Sequence, residues 1–294
     1  MIHGWDGIEE FVAVATAGSF TAGGRSFGAS VTHMSRSVAR LEERIETQLF
    51  LRTTRTLNLT ETGRIFLERC KRLVEEREDA IAALDVHGEP RGSMRLTCSY
   101  ALGEKFIGPL VREYAQRYPA LDITINFDNQ IMDIVSQGYD LAVRTGHLED
   151  SRLIATRVAH RELVTVASRE YISQHGKPGS IADLNNHRCL VGSSLHWQFR
   201  NGQQFQPKGL WQCNSGISIL DACIAGMGVC QIPAFYIGDN FAAGRLQPVL
   251  VDESPENEPI WAIYPTRRHL SPKVSKLVAL LRDRLQDMLT VATA

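Results

Sequence analysis

The sequence predicts an α+β multidomain chain, and three observations carry that expectation. Two short helical patterns and a basic hairpin pattern crowd residues 1–59, an unbroken charged helix pattern fills residues 60–87, and from residue 93 strands alternate with helices. Alternation of the last kind marks α/β units and a mostly parallel sheet. At 294 residues, 44% of them apolar and 22% charged, the chain is long enough for two or three domains with sizeable cores.

The first helix is expected where Ile8, Phe11, Val12 and Ala15 repeat at i, i+3, i+4 and i+7, with Gly18 as its stop. Ser19 or Thr21 caps the second, whose Gly23 and Gly24 should each cost up to about 1 kcal/mol relative to Ala. The third divides its labour. At about 3.6 residues per turn, Met34, Val38, Leu41 and Ile45 share one stripe, while Thr32, His33, Arg36 and Arg40 face the other way. That outward face suits a DNA major groove, where Thr hydroxyls are tolerant hydrogen-bonders and Arg grips guanine or phosphate. Between Ser19 and Leu41 the charged residues are Arg25, Arg36 and Arg40, although the whole chain balances 32 basic against 33 acidic side chains. The positive charge is therefore concentrated in one module. Arg52, Thr53, Thr54, Arg55 and Thr56, framed by Phe50-Leu51 and Leu57-Asn58-Leu59, read as a hairpin with a basic tip, a wing along the DNA backbone or minor groove.

From Thr60, a fitting N-cap, residues 60–87 form a long helix pattern of alternating charge with no internal Pro. Phe66, Cys70, Leu73, Ile81 and Leu84 give it an interrupted apolar seam for packing against a second copy; the alternative is a helix lying on its own domain. Residues 88–92, Gly-Glu-Pro-Arg-Gly, read as a hinge. Beyond them, strands are expected at residues 94–98, 121–127, 139–144, 163–167 and 260–264. Helices are expected around Phe106, Leu110, Val111 and Tyr114, at residues 131–135, and at residues 271–288.

Ordered stretches of the chain resemble a known family. Phe11 to Ala17, Gly18-Ser19-Phe20-Thr21-Ala22, Ser35-Arg36, Arg40-Leu41-Glu42-Glu43, Leu49-Phe50, Arg52-Thr53-Thr54-Arg55 and Leu59-Thr60-Glu61-Thr62-Gly63 resemble the amino-terminal winged helix-turn-helix of LysR-type transcriptional regulators. Arg117-Tyr118-Pro119, residues 138–144 and residues 225–233 resemble the family's effector-binding domain. The resemblance implies a DNA-binding domain at 1–59, a dimerisation helix at 60–87, a hinge at 88–92 and an effector-binding domain at 93–294. The last would comprise two periplasmic-binding-protein-like subdomains, one of residues 93–161 and 266–294, the other of residues 162–265, with crossovers near Arg161 and Pro265. It also implies homodimers, and homotetramers of them, on an operator of double-stranded DNA with two half-sites. Thr32, His33, Ser35, Arg36, Arg40, Arg52, Thr53 and Arg55 are the expected DNA-contacting residues. Four positions depart from the family pattern: Gly23 and Gly24 stand where Ala is usual, Val31 where Gln is common, and Glu46 where Gly is favoured. Val31 can touch a thymine methyl but cannot bond adenine in bidentate fashion, so the operator is expected to differ from the family's usual half-site.

Ligands of open α/β sheets gather beyond the carboxyl ends of strands. Cys98, Ser99 and Tyr100 occupy one such corner. By resemblance the cleft adds Arg144 and Thr145, with Ser193, Ser194, His196 and Trp197 from the second subdomain, a set suited to a small organic acid or aromatic compound. The residues 187–212 match least and are expected to carry ligand specificity. No cofactor or metal is expected, since the six cysteines form no CxxC pair and no zinc-like spacing with His. An enzyme is not expected either, as G-x-S-x-G and Walker signatures are missing; a Ser/His hydrolase and a pure solute-binding protein are the weaker alternatives. A thiol switch at Cys98, or at Cys223 and Cys230, is a further alternative on the same scaffold. No segment nears the roughly 18 apolar residues of a membrane span and no secretion signal is legible, so the expected location is cytoplasmic.

Overall fold

The structure, a computed structural model, describes residues 5–52, 57–82, 88–130, 133–146, 153–209, 211–265 and 270–293. It divides into two compact units, Met1–Val86 and His87–Ala294.

In the first unit, α1 (Ile8–Ala17) is bounded by Gly7 and Gly18, both left-handed. Of the two candidate caps for α2 (Phe20–Phe27), Ser19 does the work: its hydroxyl accepts the Ala22 N–H at 3.1 Å. Ser30 caps α3 (Val31–Arg44) in the same way, accepting from His33 N. Strands β1 (Phe50–Arg52) and β2 (Leu57–Leu59) pair antiparallel with Phe50 opposite Leu59 and Arg52 opposite Leu57. The hairpin tip, residues 53–56, lies outside the described residues. Thr60 caps α4 (Glu61–Ala82) through a 2.8 Å bond from Gly63 N. Phe11, Val14, Met34, Val38, Leu41 and Leu49 fill the core, and Phe11 meets Phe50 edge-on at 5.4 Å.

Two expectations about this unit change. Phe66 and Cys70 do not belong to an outward seam; both pack on the unit's own core, because α4 leaves β2 running back across α1. Among the described residues the large apolar side chains that α4 leaves exposed are Ile65, Leu73 and Ile81, and Leu84 lies outside the described residues. The glycine pair, for its part, is a packing requirement and not a simple cost. A Cβ on Gly23 would stand 2.8 Å from Val14 Cα, and one on Gly24 2.7 Å from the Ala29 carbonyl. The close approach of α1 and α2 depends on that missing atom. Glu46, by contrast, adopts a left-handed φ of 50° just past the end of α3, the conformation that favours Gly.

The second unit has two lobes. Lobe I is a five-stranded sheet in the order β4-β3-β5-β14-β6, built from β3 (Gly92–Cys98), β4 (Leu121–Phe127), β5 (Leu141–Thr145), β6 (Leu153–Arg161) and β14 (Glu258–Pro265). Central β5 starts with three buried residues, whereas edge strand β4 alternates half-buried and exposed positions. One face is covered by α5 (Tyr100–Leu102), which runs through a π-helical stretch, Gly103–Ile107, into α6 (Gly108–Arg117), and by α9 (Pro272–Thr293). Lobe II holds β7 (Leu163–Ser168), flanked antiparallel by β12 (Val229–Pro233) and β13 (Leu246–Pro248). Two smaller pairs complete it: β8 (Leu190–Val191) parallel to β11 (Trp211–Gln212), and β9 (Trp197–Gln198) antiparallel to β10 (Gln204–Phe205). Helices α7 (Arg169–His175) and α8 (Gly216–Ile224) pack against them.

The mostly parallel expectation holds for the strand directions of lobe I and not for the antiparallel three-stranded sheet of lobe II. In lobe I, β4, β3, β5 and β6 point the same way, while β14, along which the chain returns after leaving on β6, runs against both its neighbours. The return crossover lies before Glu258 instead of near Pro265: Ile260, Ala262 and Tyr264 already belong to the core of lobe I. The helix expected at residues 131–135 is also absent from the described part, residues 133–146. There the Asp133 carboxylate accepts from Val135 N and Ser136 N, and Gly138 turns left-handed, so a turn forms instead.

Substitutions at the two special sites of the first unit should have opposite signs. Gly23→Ala is expected to lower unfolding stability by about 1–3 kcal/mol through overpacking, and Glu46→Gly to raise it by up to about 1 kcal/mol through relief of the left-handed backbone. Urea denaturation of both variants against the parent measures this.

Candidate functional site

The third helix presents its two faces as its periodicity requires. Met34, Val38 and Leu41 are buried, while Val31, Thr32, His33, Arg36 and Arg40 are exposed and Ser35 is half-buried. Neither Arg36 nor Arg40 has an ion-pair or hydrogen-bond partner among the described residues, so both guanidinium groups are free for an anion. His33 is partly engaged, its Nε2 lying 3.2 Å from Glu10 Oε1 of α1. Thr53 and Arg55 lie outside the described residues, and of Arg52 only the backbone, paired in β1, is described.

Sequence reasoning missed what fixes the wing to this helix. One carboxylate oxygen of Glu42, on α3, accepts both the Leu49 N–H at 2.8 Å and the Phe50 N–H at 3.0 Å. A charged acceptor shared by two backbone donors is among the stronger hydrogen-bond arrangements. The start of β1 is thereby held to the helix carrying Arg36.

In the second unit a cavity of about 870 Å³ opens between the lobes. Ser99, Arg144, Thr145, Ser193, Ser194, His196 and Trp197 all line it. The parallel register that sets Cys98 beside Val143 puts Ser99 next to Arg144. Arg144 donates one Nη to the hydroxyl of buried Thr97 at 2.9 Å. Its other Nη is buried with no hydrogen-bond partner among the described residues, and the same holds for Ser99 Oγ. Ser99 thus precedes α5 without capping it. Burial lowers the Arg144 pKa below its ordinary value, an effect opposed by Cys98, Asp128 and Tyr139 nearby. A partly desolvated cation beside an empty hydroxyl is a site for an anion.

Two of the expected cleft residues sit elsewhere. Cys98 is fully buried beneath the cavity floor, where burial pushes its thiol up to about 12. Tyr100 is turned outward, half-exposed and edge-on to Phe127 at 6.3 Å. Trp197 is only 2% exposed and packs with Phe205 in the core of lobe II, so it supplies a wall and no free ring face. The remaining lining is largely apolar, with Ile134, Leu163, Ile219 and Ile232 among it.

Several polar lining residues had no signal in the sequence. Arg161 and Glu258, opposite one another on the two crossover strands, are bound at 2.6 Å from both Nε and Nη2 to Oε2. Gln231 accepts the Gln198 N–H and donates to the Gln198 carbonyl and to Thr165 Oγ1, pinning β9 to the sheet of lobe II. Asn129 was findable by the rule that located Ser99, because it follows the carboxyl end of β4. Among the described residues no cluster of three or more His, Cys, Asp or Glu side chains is placed to hold a metal, and no helix is long and apolar enough to cross a membrane.

Comparison with known proteins assigns both units. The family profile described as bacterial regulatory helix-turn-helix protein, lysR family, matches residues 5–64, and the LysR substrate binding domain matches residues 87–286. The transcriptional activator AaeR of Escherichia coli is 28% identical over 286 residues, covering 93% of this chain and 91% of AaeR. Among solved structures, the full-length Vibrio cholerae virulence activator AphB aligns with a TM-score of 0.58 at 26% identity, over 94% of this chain and 97% of AphB. CrgA of Neisseria meningitidis aligns with a TM-score of 0.54 at 27% identity, over 98% of each chain.

Proposed function

Since the chain belongs to the LysR family of bacterial transcriptional regulators, we propose that it is a DNA-bound switch whose effector is a small carboxylic acid seated on Arg144 and Ser99. Regulators of this family join a helix-turn-helix DNA-binding domain to a ligand-binding regulatory domain, and they act as oligomers. The observation that carries the effector class is the pair of unpartnered donors, one of them charged, at the floor of a mainly apolar cavity. A carboxylate satisfies both donors, and an apolar or aromatic body suits the walls. The effector acts only through its different affinity for the two arrangements of the lobes.

On the DNA side, α3 enters the major groove with Thr32, Ser35, Arg36 and Arg40 toward the bases and phosphates, and the wing carries Arg52, Thr53 and Arg55 along the backbone. His33 joins them if DNA competes successfully with Glu10. Residues 1–59 then read the operator, residues 60–87 pair two copies through exposed apolar side chains such as Leu73 and Ile81, and residues 88–92 connect to the regulatory unit. Dimers pair into tetramers on two half-sites, in the cytoplasm. The relatives are named as transcriptional regulators, and no reaction is assigned to the cavity.

A thiol switch is the second reading, motivated by a solved regulatory domain of a Vibrio vulnificus AphB treated with cumene hydroperoxide. Burial argues against it in this chain. Cys98 is pushed up to about 12 and Cys189 to about 11, and Cys223 and Cys230 are buried, with the Cys230 thiol raised by the hydrogen bond it donates to Cys223 and by burial. The thiolate, the reactive form, is correspondingly scarce at neutral pH.

Three outcomes are expected. Arg36→Ala weakens specific operator binding by about 1–3 kcal/mol, whereas Arg52→Ala weakens operator and scrambled DNA alike and lowers the salt slope by about one; titrations at several salt concentrations separate the two. Arg144→Ala lowers the affinity of carboxylate ligands by about ten- to a hundredfold in calorimetry while leaving neutral ligands unchanged. Mild peroxide leaves Cys98, Cys223 and Cys230 reduced by mass spectrometry, with half-buried Cys213 the first to be modified; selective oxidation at Cys98 would restore the thiol switch.

A further inference from the structure

One side chain already occupies part of the anion site and also ties the lobes together. Asn129 stands two residues beyond β4 in lobe I. Its Oδ1 accepts the Tyr100 N–H at 3.1 Å, immediately beside the unpartnered Ser99 hydroxyl. Its Nδ2 reaches lobe II and donates to Ser193 Oγ and to the Asn214 carbonyl, each at 3.1 Å. Ser193 Oγ donates to that same carbonyl at 3.2 Å, so the far end of the bridge is itself a closed pair. Ser193 follows β8 and Asn214 follows β11, and both border the cavity.

Three donors therefore sit on adjoining strand ends of lobe I: the Tyr100 backbone N–H, Ser99 Oγ and the open Nη of Arg144. One is filled by a planar carbonyl oxygen, and two are empty. A carboxylate carries two oxygens with room for all three donors. We propose that Asn129 is the cavity's built-in surrogate ligand: its amide oxygen holds the place of one effector oxygen, and an arriving carboxylate displaces it from Tyr100. Displacement swings the amide away and breaks its two bonds to lobe II, so occupancy of the anion site is exchanged for contact between the lobes. Asn129 is thus a positioning residue that converts binding into lobe movement. The inference rests on the carboxylate reading of Arg144 and Ser99.

Amide hydrogen exchange on the full chain tests it, with acetate, the bare carboxylate, as probe against chloride at equal ionic strength. Without acetate, Asn129→Ala should exchange about three- to tenfold faster at Tyr100 and in residues 211–217. Asn129→Asp keeps an acceptor for Tyr100 but repels the Asn214 carbonyl, so only residues 211–217 should speed up. Acetate should bring the parent chain to the Asn129→Asp pattern, Tyr100 protected and residues 211–217 loosened, and should do nothing to Arg144→Ala. Unchanged exchange at residues 211–217 in both Asn129 variants would overturn the latch whatever acetate does. Loosening in the variants combined with no acetate effect on the parent would overturn displacement, and with it the carboxylate reading.

Discussion

A guanidinium taken out of water and left one partner short governs the regulatory unit. Arg144 lies at the end of β5 because that strand is central, buried on both sides for its first three residues, and its fourth can only point along the cavity floor. Thr97 satisfies one Nη; the other, like the buried hydroxyl of neighbouring Ser99, has no partner among the described residues. Leaving a buried donor unmet costs free energy that a ligand regains by meeting it. The site is thus strained toward an anion before any effector arrives, and Asn129 supplies a partial, neutral substitute. Recognition and signalling share one set of donors.

The DNA-reading unit is organised around rigidity. Gly23 lets α1 and α2 touch at backbone distance, Ser19 and Ser30 cap the two helices that follow, and Glu42 fixes the start of the wing to the recognition helix. Such a unit does not need to change shape to respond. It continues into α4, whose inner face belongs to the unit's own core and which leaves Ile65, Leu73 and Ile81 exposed.

What was legible in the sequence was what periodicity and local chemistry write. The two faces of α3, the cap at Ser19, the hairpin strands and the strand-end corner at Ser99 all follow from neighbours a few residues apart, whereas Arg144 was reached only through the family resemblance. What was not legible depends on contacts distant in the chain. That β14 runs antiparallel into lobe I is decided by the return path from lobe II, not by residues 258–265 themselves. The glycines at 23 and 24 looked like defects until Val14 and Ala29 were beside them. Phe66 and Cys70 had the right spacing for a seam, but the direction in which α4 leaves β2 turned them inward. The Arg161–Glu258 pair escaped notice for the same reason, since its two members are 97 residues apart.

The central claim is that the cavity selects negative charge. The most direct measurement is the thermal midpoint of the ligand-free chain against matched compounds that differ only in the headgroup: a series of acids, their methyl esters and the corresponding amines. A ligand that binds only the folded state raises the midpoint in proportion to its affinity. The account predicts a rise for acids of suitable size and none for their esters or amines. Equal rises for acids and esters, or a rise confined to esters or amines, would contradict it.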